Sequence, residues 1–137
     1  MDTMTASELE SRLGVSIDEH LAREVEIPVI AGRPQRQGDV LFVPAVTSAA
    51  TTPLTRAGYP VVRGEVGGNT HRLHADQGES FYSPFAGDGQ RLGVLTVGEG
   101  STAVLSHLEH GFMAFGPGTY MVIRQREQAD EIRLVQD

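Results

Sequence analysis

Four of the five histidines in this 137-residue chain lie in two short motifs of equal spacing. The motif "HRLH" spans residues 71–74, and the motif "HLEH" spans residues 107–110. Neutral imidazoles are ligands for zinc, iron and nickel, and two or three of them with a carboxylate form an open metal site. Without a metal, the same side chains would act as general base and general acid near neutral pH. The two motifs therefore predict a histidine-centred site.

The strands that carry these motifs decide which histidines can meet. In a β-strand, residues i and i+2 share a face, whereas residues i and i+3 point to opposite faces. Each motif therefore supplies two side chains to one site only where a bend or bulge separates them, as a turn before Gly111 would do. We expect His71 and His110 to converge, with His107 next and His74 last. The candidate metals are zinc, iron, manganese and nickel, and the candidate ligands are His71, His107, His110 and Glu109.

The segment "TYMVIRQRE" at residues 119–127 supplies a second set of polar side chains. Strand alternation places its aromatic and basic residues on one face, and Met121 and Ile123 on the opposite face are expected in the core. A tyrosine and an arginine would act beside the histidines, and further arginines would hold an anionic substrate. The alternative is a solvated sheet face with paired charges. The assigned residues are His71, His110, Tyr120 and Arg126 as catalytic, and Arg72, Arg124 and Gln125 as substrate-binding.

The composition excludes several classes of site. The chain has no cysteine, which excludes thiolate catalysis, iron–sulfur clusters, zinc fingers and disulfide bonds. All eleven basic residues are arginines, which excludes a Schiff-base lysine and the lysine of a phosphate-binding loop. The net charge of −7 argues against non-specific binding of DNA or RNA along the backbone.

The N-terminal segment has the composition of an acidic helical unit. Seven acidic and two basic residues give it −5 of the net charge of −7. The stretch "TASELESRLG" predicts a short helix with a threonine or serine N-cap and with Gly14 as its end. A second helical turn is expected in "SIDEHLAREVEI" before Pro28, and its His20 is not counted in the site. The chain is therefore divided into a separable helical segment at residues 1–28 and a β-barrel-like domain at residues 29–137.

From Pro28 onward, short β-branched runs alternate with Gly, Pro and Asp, as in an antiparallel all-β domain. Nine such runs without helices between them predict an all-β fold, either a small barrel or a two-sheet sandwich. The gap at residues 47–58 is interpreted as a lid or mobile flap because of its length. The predicted strands are residues 39–46, 59–66, 69–75, 79–85, 91–97, 101–108, 111–115, 119–127 and 131–136.

The hydropathy of the chain predicts a soluble, cytoplasmic protein without a membrane partner. The N-terminus lacks a basic end followed by an apolar run, and no stretch of eighteen consecutive apolar residues occurs. Exposed β edges would allow the chain to form a homo-oligomer.

Three blocks of the sequence resemble a small, uncharacterised bacterial family. The blocks are "QGDVLFVP", "GEVGGNTHR" and "HLEHGFMAFGPGTYMVIRQRE", and they extend over roughly residues 37–135. The family pattern has Gly-x-His-x-His-Arg at its centre, where Asn69 replaces the first histidine and His71 keeps the second. The resemblance implies a shared pattern of residues and no particular chemistry.

A looser likeness connects the chain with the cupin superfamily of β-barrels. It is carried by "EHGFMAFGPGTY" and by a histidine-bearing strand that follows glycines. Cupins hold one divalent metal in the barrel mouth with His-x-His, a later Glu and a distant His. The likeness would give these roles to Asn69, His71, Glu79 and His110, although the spacing differs and the first histidine is missing.

Three functions from different classes follow from these observations. The first is a metal-dependent enzyme that acts on a small or anionic substrate. The second is a metal-independent ribonuclease or RNA-processing enzyme, in which histidines serve as base and acid and arginines hold the phosphate. The third is a non-catalytic module that assembles with itself or binds a partner through β edges and the acidic helix. Stoichiometric metal in the purified protein would favour the first.

Overall fold

Eleven strands and one short helix make up the described part of the chain, which in this computed structural model comprises residues 3–63, 70–86 and 89–125. The all-β prediction is confirmed. The strands form a six-stranded sheet in the order β1-β2-β10-β9-β6-β5 and a five-stranded sheet in the order β3-β4-β11-β8-β7. The elements are β1 (Thr3–Thr5), α1 (Ala6–Leu13), β2 (Glu26–Ile30), β3 (Gln35–Gln37), β4 (Val40–Pro44), β5 (Tyr59–Val62), β6 (His71–Gln77), β7 (Ser80–Pro84), β8 (Arg91–Val97), β9 (Thr102–His107), β10 (Gly111–Phe115) and β11 (Gly118–Arg124).

The two sheets enclose an apolar core, and the six-stranded sheet carries a second apolar cluster on its outer face. Strand alternation separates the two clusters, since neighbouring residues of β9 belong to different ones. No helix among the described residues is long and apolar enough to cross a membrane. The fully buried residues between the sheets include Val40, Phe42, Leu73, Leu95, Leu105, Phe115, Tyr120 and Val122.

The core face of β11 is opposite to the one predicted. Tyr120 is fully buried, whereas the predicted core residues Met121 and Ile123 are only half-buried. The phenol of Tyr120 fits the core because its hydroxyl donates to the Gly116 carbonyl and accepts from the Gly32 N–H, each at 2.9 Å. A buried hydroxyl with both partners carries little desolvation penalty, so the large aromatic ring decides the orientation of the strand.

The predicted N-terminal helix is confirmed at Ala6–Leu13. The Thr5 side chain accepts from the Glu8 N–H at 3.1 Å, and the Glu8 carboxylate accepts from the Thr5 N–H at 2.8 Å. This reciprocal pair is a capping box, and Gly14 ends the helix in the left-handed conformation that favours glycine. The apolar side of the helix lies on the outer face of the six-stranded sheet, where the cluster includes Leu9, Leu13, Val104, Phe112 and Ala114.

The second helical turn, expected within residues 16–27, is not formed. The Arg23 guanidinium donates to three backbone carbonyls of this segment, at 2.7, 2.8 and 3.0 Å. The Asp18 N–H donates to the Leu108 carbonyl, at 2.7 Å, in the turn between β9 and β10. These partners satisfy backbone groups that a helix would pair internally, so the apolar spacing alone did not produce a helix.

Residues 47–58, interpreted as a lid or mobile flap, are hydrogen-bonded to both sheets, which argues against that interpretation. The Leu54 N–H donates to the Ser80 carbonyl in β7 at 2.8 Å, and the Thr55 carbonyl accepts from the Ala75 N–H in β6 at 2.9 Å. The segment therefore joins the β7 edge of one sheet to β6 of the other. Backbone hydrogen bonds on both sides fix it in place.

The strand predictions differ from the structure mainly at element ends and near the N-terminus. The strands predicted at residues 91–97 and 111–115 coincide with β8 and β10. Strands β1, β2 and β3 were not predicted, because two of them have three residues and β2 lies partly in the segment read as helical. The strand predicted at residues 131–136 lies outside the described residues.

The division at residue 28 stays a prediction, and the packing argues against a free-standing β domain. Residue 28 lies inside β2, which pairs with β10 at the centre of the sheet order. The helix that precedes it buries Leu9 completely. Removal of this segment would expose apolar residues on the outer face of the sheet.

Substitution of Leu9 by alanine tests this packing. Leu9 is fully buried, so we expect Leu9→Ala to lower the free energy of unfolding by about 2–5 kcal/mol. The control is Val25→Ala in the same segment, where the side chain is 50% exposed and a change within about 0.5 kcal/mol is expected. Urea unfolding of both variants measures the difference. Equal stability of Leu9→Ala and the wild type would support the separable segment instead.

Candidate metal centre

The pairing of β6 with β9 brings two histidines side by side. Arg72 pairs with Ser106 in this antiparallel ladder, so His71, which precedes Arg72, lies next to His107, which follows Ser106. Their ring centroids are 4.3 Å apart. Since alternate residues share a face, both histidines lie on the face that carries Leu73 into the core. They therefore occupy the end of the space between the two sheets.

A tight turn adds the third histidine. Strand β9 ends at His107, and β10 begins at Gly111, which pairs with His107 and has φ +85°. The turn between them returns His110 to the same end of the sheet. The His110 ring centroid lies 4.5 Å from that of His107 and 6.0 Å from that of His71. The convergence of His71 and His110 required a bend before Gly111, and this turn supplies it.

The three histidines lie close enough together to be candidate ligands of one metal ion. One ligand atom of each residue lies within 4.8 Å of the ligand atoms of the other two. His71 and His107 are buried, whereas His110 is exposed on the turn. Among the described residues, no other group of three or more His, Cys, Asp or Glu side chains meets this criterion.

Gly38, in the turn between β3 and β4, approaches the histidines from the five-stranded sheet. A β-carbon placed on Gly38 would lie 3.0 Å from His110 Nε2 and 3.6 Å from His71 Nε2. Gly38 also has φ +60°, which disfavours any residue with a side chain. The Nε2 atoms of His71 and His110 therefore converge on a backbone position that only glycine leaves open.

The environment of His71 keeps its ring neutral. The pKa of His71 is lowered to about 4, mainly by burial; His107, His110 and Arg124 also lower it, and Asp39 opposes them. Both ring nitrogens are buried and have no hydrogen-bond partner among the described residues. A neutral imidazole with an uncommitted lone pair is the form that binds a metal at pH 7.

His107 presents a different nitrogen arrangement. Its Nδ1 accepts from the backbone N–H groups of Glu109 and His110, at 3.1 and 3.2 Å. The neutral ring therefore carries its proton on Nε2 while these contacts persist. His107 thus stabilises the turn that carries His110, and its Nδ1 lone pair would reach a metal only in exchange for these contacts.

The turn between β3 and β4 also brings charged and polar residues to the histidines. Arg124 Nε donates to Asp39 Oδ2 at 2.9 Å, and the Gln125 N–H donates to the Asp39 carbonyl at 2.7 Å. Gln37 is buried, and its amide nitrogen donates to the Gly111 carbonyl at 3.4 Å. Gln37, Gly38 and Asp39 were not predicted near the histidines, although "QGD" belongs to the pattern of the resembled family.

Other proposed residues lie away from the three histidines. The Tyr120 hydroxyl is engaged by backbone groups in the core. Arg72 follows His71 on β6 and points to the opposite sheet face, where it lies beside Gly58. Glu109 is exposed, and its carboxylate does not belong to the group formed by the histidines. Arg126 and Asn69 lie outside the described residues.

His74 is a structural histidine. It is fully buried, with Nδ1 2.7 Å from the Arg56 carbonyl and Nε2 2.8 Å from Ser106 Oγ. Burial lowers the pKa of His74, so the ring is neutral at pH 7. One "HRLH" motif thus places His71 between the sheets and His74 on the outer face, as strand alternation requires.

The pH dependence of stability tests the burial of His71 in the metal-free protein. Its pKa is about 4 in the folded state and about 6.5 when unfolded, so the unfolded chain takes up a proton first. The free energy of unfolding is therefore unaffected by this residue above about pH 6.5. As the pH decreases from 6.5 toward 4, protonation of His71 in the unfolded chain lowers the free energy of unfolding by about 3 kcal/mol. In urea unfolding with a chelator present, we expect the free energy of unfolding to fall less between pH 6.5 and 4 for His71→Asn than for the wild type. Parallel stability curves would contradict a buried, neutral His71.

The family comparison covers the part of the chain that carries the histidines. Residues 36–125 match the family described as "Domain of unknown function (DUF8820)". A search of the curated proteins found no match, and a search of the solved structures found none. The match supports the resemblance to an uncharacterised family, but it tests neither the individual motifs nor the likeness to cupins. Because it covers most of the 137 residues, including all three histidines of the group, the chain belongs to this family.

Proposed function

We propose that the protein is a metal-dependent enzyme whose single divalent metal ion is held by His71, His107 and His110. The observation that carries this proposal is the convergence of three histidine ligand atoms within 4.8 Å at one end of the core. Three neutral imidazoles leave the charge of the metal uncompensated and one coordination position open. Such a site lowers the pKa of a bound water to about 7 and supplies hydroxide for attack on an electrophilic carbon or phosphorus.

The dimensions of the group support a metal after a small contraction. Zinc–nitrogen bonds of about 2.0–2.1 Å in a tetrahedral site place the nitrogen atoms about 3.4 Å apart. The present atoms lie within 4.8 Å of one another, so closure requires a separation to shorten by at most about 1.4 Å. His110 is exposed on the turn and has the freedom to make this movement by side-chain rotation.

The ligands do not contribute equally in this proposal. His71 and His110 direct their Nε2 atoms to the same position at Gly38 and form the primary pair. His107 is the third ligand. Its Nδ1 would bind the metal after losing the hydrogen bonds that it accepts from the backbone N–H groups of Glu109 and His110. The absence of cysteine leaves imidazole as the main donor, which suits zinc, iron or nickel, and manganese with added oxygen ligands.

A small anionic substrate fits the charges near the histidines. Arg124 is 44% exposed, and its Nε is paired with Asp39, while its electrostatic effect reaches His71. The terminal nitrogens of Arg124 would bind a carboxylate or phosphate held near the metal. Asp39 fixes the guanidinium beside the turn of Gly38, so Arg124 would orient the substrate and leave the chemistry to the metal.

Metal titration of single histidine variants tests the proposal. We expect the wild type to bind about one zinc ion per chain, and a metal concentration a hundredfold above Kd to raise the stability by about 2.7 kcal/mol. His71→Ala and His110→Ala should abolish binding, and His107→Ala should weaken it about tenfold or more. His20→Ala is the control, because His20 is exposed and lies outside the group.

Calorimetric titration and thermal unfolding measure these effects. A wild type that stays metal-free and whose melting temperature does not respond to zinc, iron, manganese or nickel would contradict the proposal. Ribonuclease activity in that metal-free protein would support the acid–base alternative. An inert, large assembly would support the non-catalytic alternative.

Substitution of Gly38 tests the geometry without removing a ligand. Gly38→Ala would place a β-carbon 3.0 Å from His110 Nε2, so we expect metal binding to weaken about tenfold or more. Gly100→Ala is the matched control, because Gly100 has φ +71° and nothing within 4 Å of its added β-carbon. Both variants should lose about 1–2 kcal/mol of stability from backbone strain. Only Gly38→Ala should lose metal affinity, and equal affinities in the two variants would contradict the predicted geometry.

A further inference from the structure

Strand β3 sends two glutamine side chains across to the backbone of β10 in the other sheet. Gln35 Nε2 donates to the Ala114 carbonyl at 3.1 Å, and Gln37 Nε2 donates to the Gly111 carbonyl at 3.4 Å. The two amides differ in their surroundings. Gln37 is only 7% exposed, and its Oε1 is buried without a hydrogen-bond partner among the described residues, whereas Gln35 is half-buried.

Gln37 lies between two residues that adjoin the histidines, Gly38 in its own sheet and Gly111 in the other. It immediately precedes Gly38, toward which the Nε2 atoms of His71 and His110 point. Its amide nitrogen reaches Gly111, the residue that follows His110 and pairs with His107. The side chain therefore extends from the Gly38 turn to the base of the histidine turn.

The orientation of the amide follows from its one hydrogen bond. The Gly111 carbonyl accepts from Nε2, and a reversed amide would place two oxygen atoms against each other. Oε1 is thereby turned away from Gly111. An apolar side chain of the same length would fill this space without burying an unpaired carbonyl oxygen, so the amide is chemically unfavourable here unless a donor uses it.

We propose that Gln37 is a positioning residue of the metal centre, whose Oε1 accepts a hydrogen bond from the water that completes the coordination of the metal. This assignment rests on the proposed function, since the donor is a water held by the metal of the three histidines. The bound water would be the hydrogen-bond donor that the buried Gln37 Oε1 lacks among the described residues.

The proposal fixes the direction of two effects. Metal-bound water is a stronger hydrogen-bond donor than metal-bound hydroxide, so an acceptor at Gln37 favours the water form. Removal of that acceptor lowers the pKa of the bound water and lowers the affinity of the protein for the metal. A carboxylate in its place raises the pKa of the bound water, because its negative charge opposes the formation of hydroxide.

Cobalt-substituted protein provides the test, because the visible spectrum of Co²⁺ reports deprotonation of its bound water. The probe is Co²⁺ added to the full chain, with affinity measured by titration and the spectral midpoint measured against pH. Gln37→Met should weaken Co²⁺ binding about tenfold to a hundredfold and lower the midpoint. Gln37→Glu should raise the midpoint. Gln35→Met is the matched control, since it removes a similar amide-to-backbone hydrogen bond, and it should leave both quantities unchanged.

The outcomes separate this assignment from the metal site itself. A wild type that binds Co²⁺ while Gln37→Met and Gln37→Glu titrate like the wild type would overturn the role of Gln37 and leave the histidine site intact. A wild type that takes up no Co²⁺ would overturn both. Equal losses in Gln35→Met and Gln37→Met would show that the glutamines only join the sheets, which also overturns the assignment.

Discussion

The register between β6 and β9 is the constraint on which the other features depend. It places Leu73 and Leu105 opposite each other toward the core, and it leaves His71 and His107 at the end of the same face. A shift by one residue would turn His71 to the outer face and bring His74 inward. Hydrophobic burial further along the strands thus fixes the position of the histidines, even though the histidines themselves add little to the core.

The outer face of the same strand anchors the N-terminal helix. Asp76 is buried on β6, and the Arg12 guanidinium of α1 binds its carboxylate through two hydrogen bonds of 3.0 and 2.9 Å. Removal of Arg12 would leave a buried, unpaired carboxylate, which is far more costly than the loss of a surface ion pair. The segment that follows α1 then contacts the histidine turn, through the Asp18 N–H and the side chain of Leu21 near Gly111. The N-terminal segment therefore supports the turn that carries His110, although it lies outside the family match.

Two histidines of one motif show how burial alone does not define a functional residue. His71 and His74 are both buried, and burial lowers the pKa of each. Both nitrogens of His74 have partners in neighbouring elements, whereas neither nitrogen of His71 has one among the described residues. A satisfied ring contributes to stability, while an unsatisfied one costs stability and remains available to a ligand. The difference lies in the neighbours that each sheet face provides.

The sequence by itself determined the fold class, the short capped helix and most of the strands after residue 28, because these depend on local periodicity, caps and turn residues. It also identified His71 and His110 as a converging pair, provided that the chain turned before Gly111. It did not determine the core face of β11, because the Tyr120 hydroxyl accepts from Gly32, which is far away along the chain. It also did not determine that residues 16–27 form no helix, because the Arg23 side chain donates to backbone carbonyls such as that of Ile17. The approach of Gly38 and Gln37 to the histidines was also beyond the sequence, because these residues belong to the opposite sheet. Only tertiary packing brings Gly38 close to His71 and His110 and Gln37 to the Gly111 carbonyl, since local sequence rules hold no information about which strand ends meet across a core.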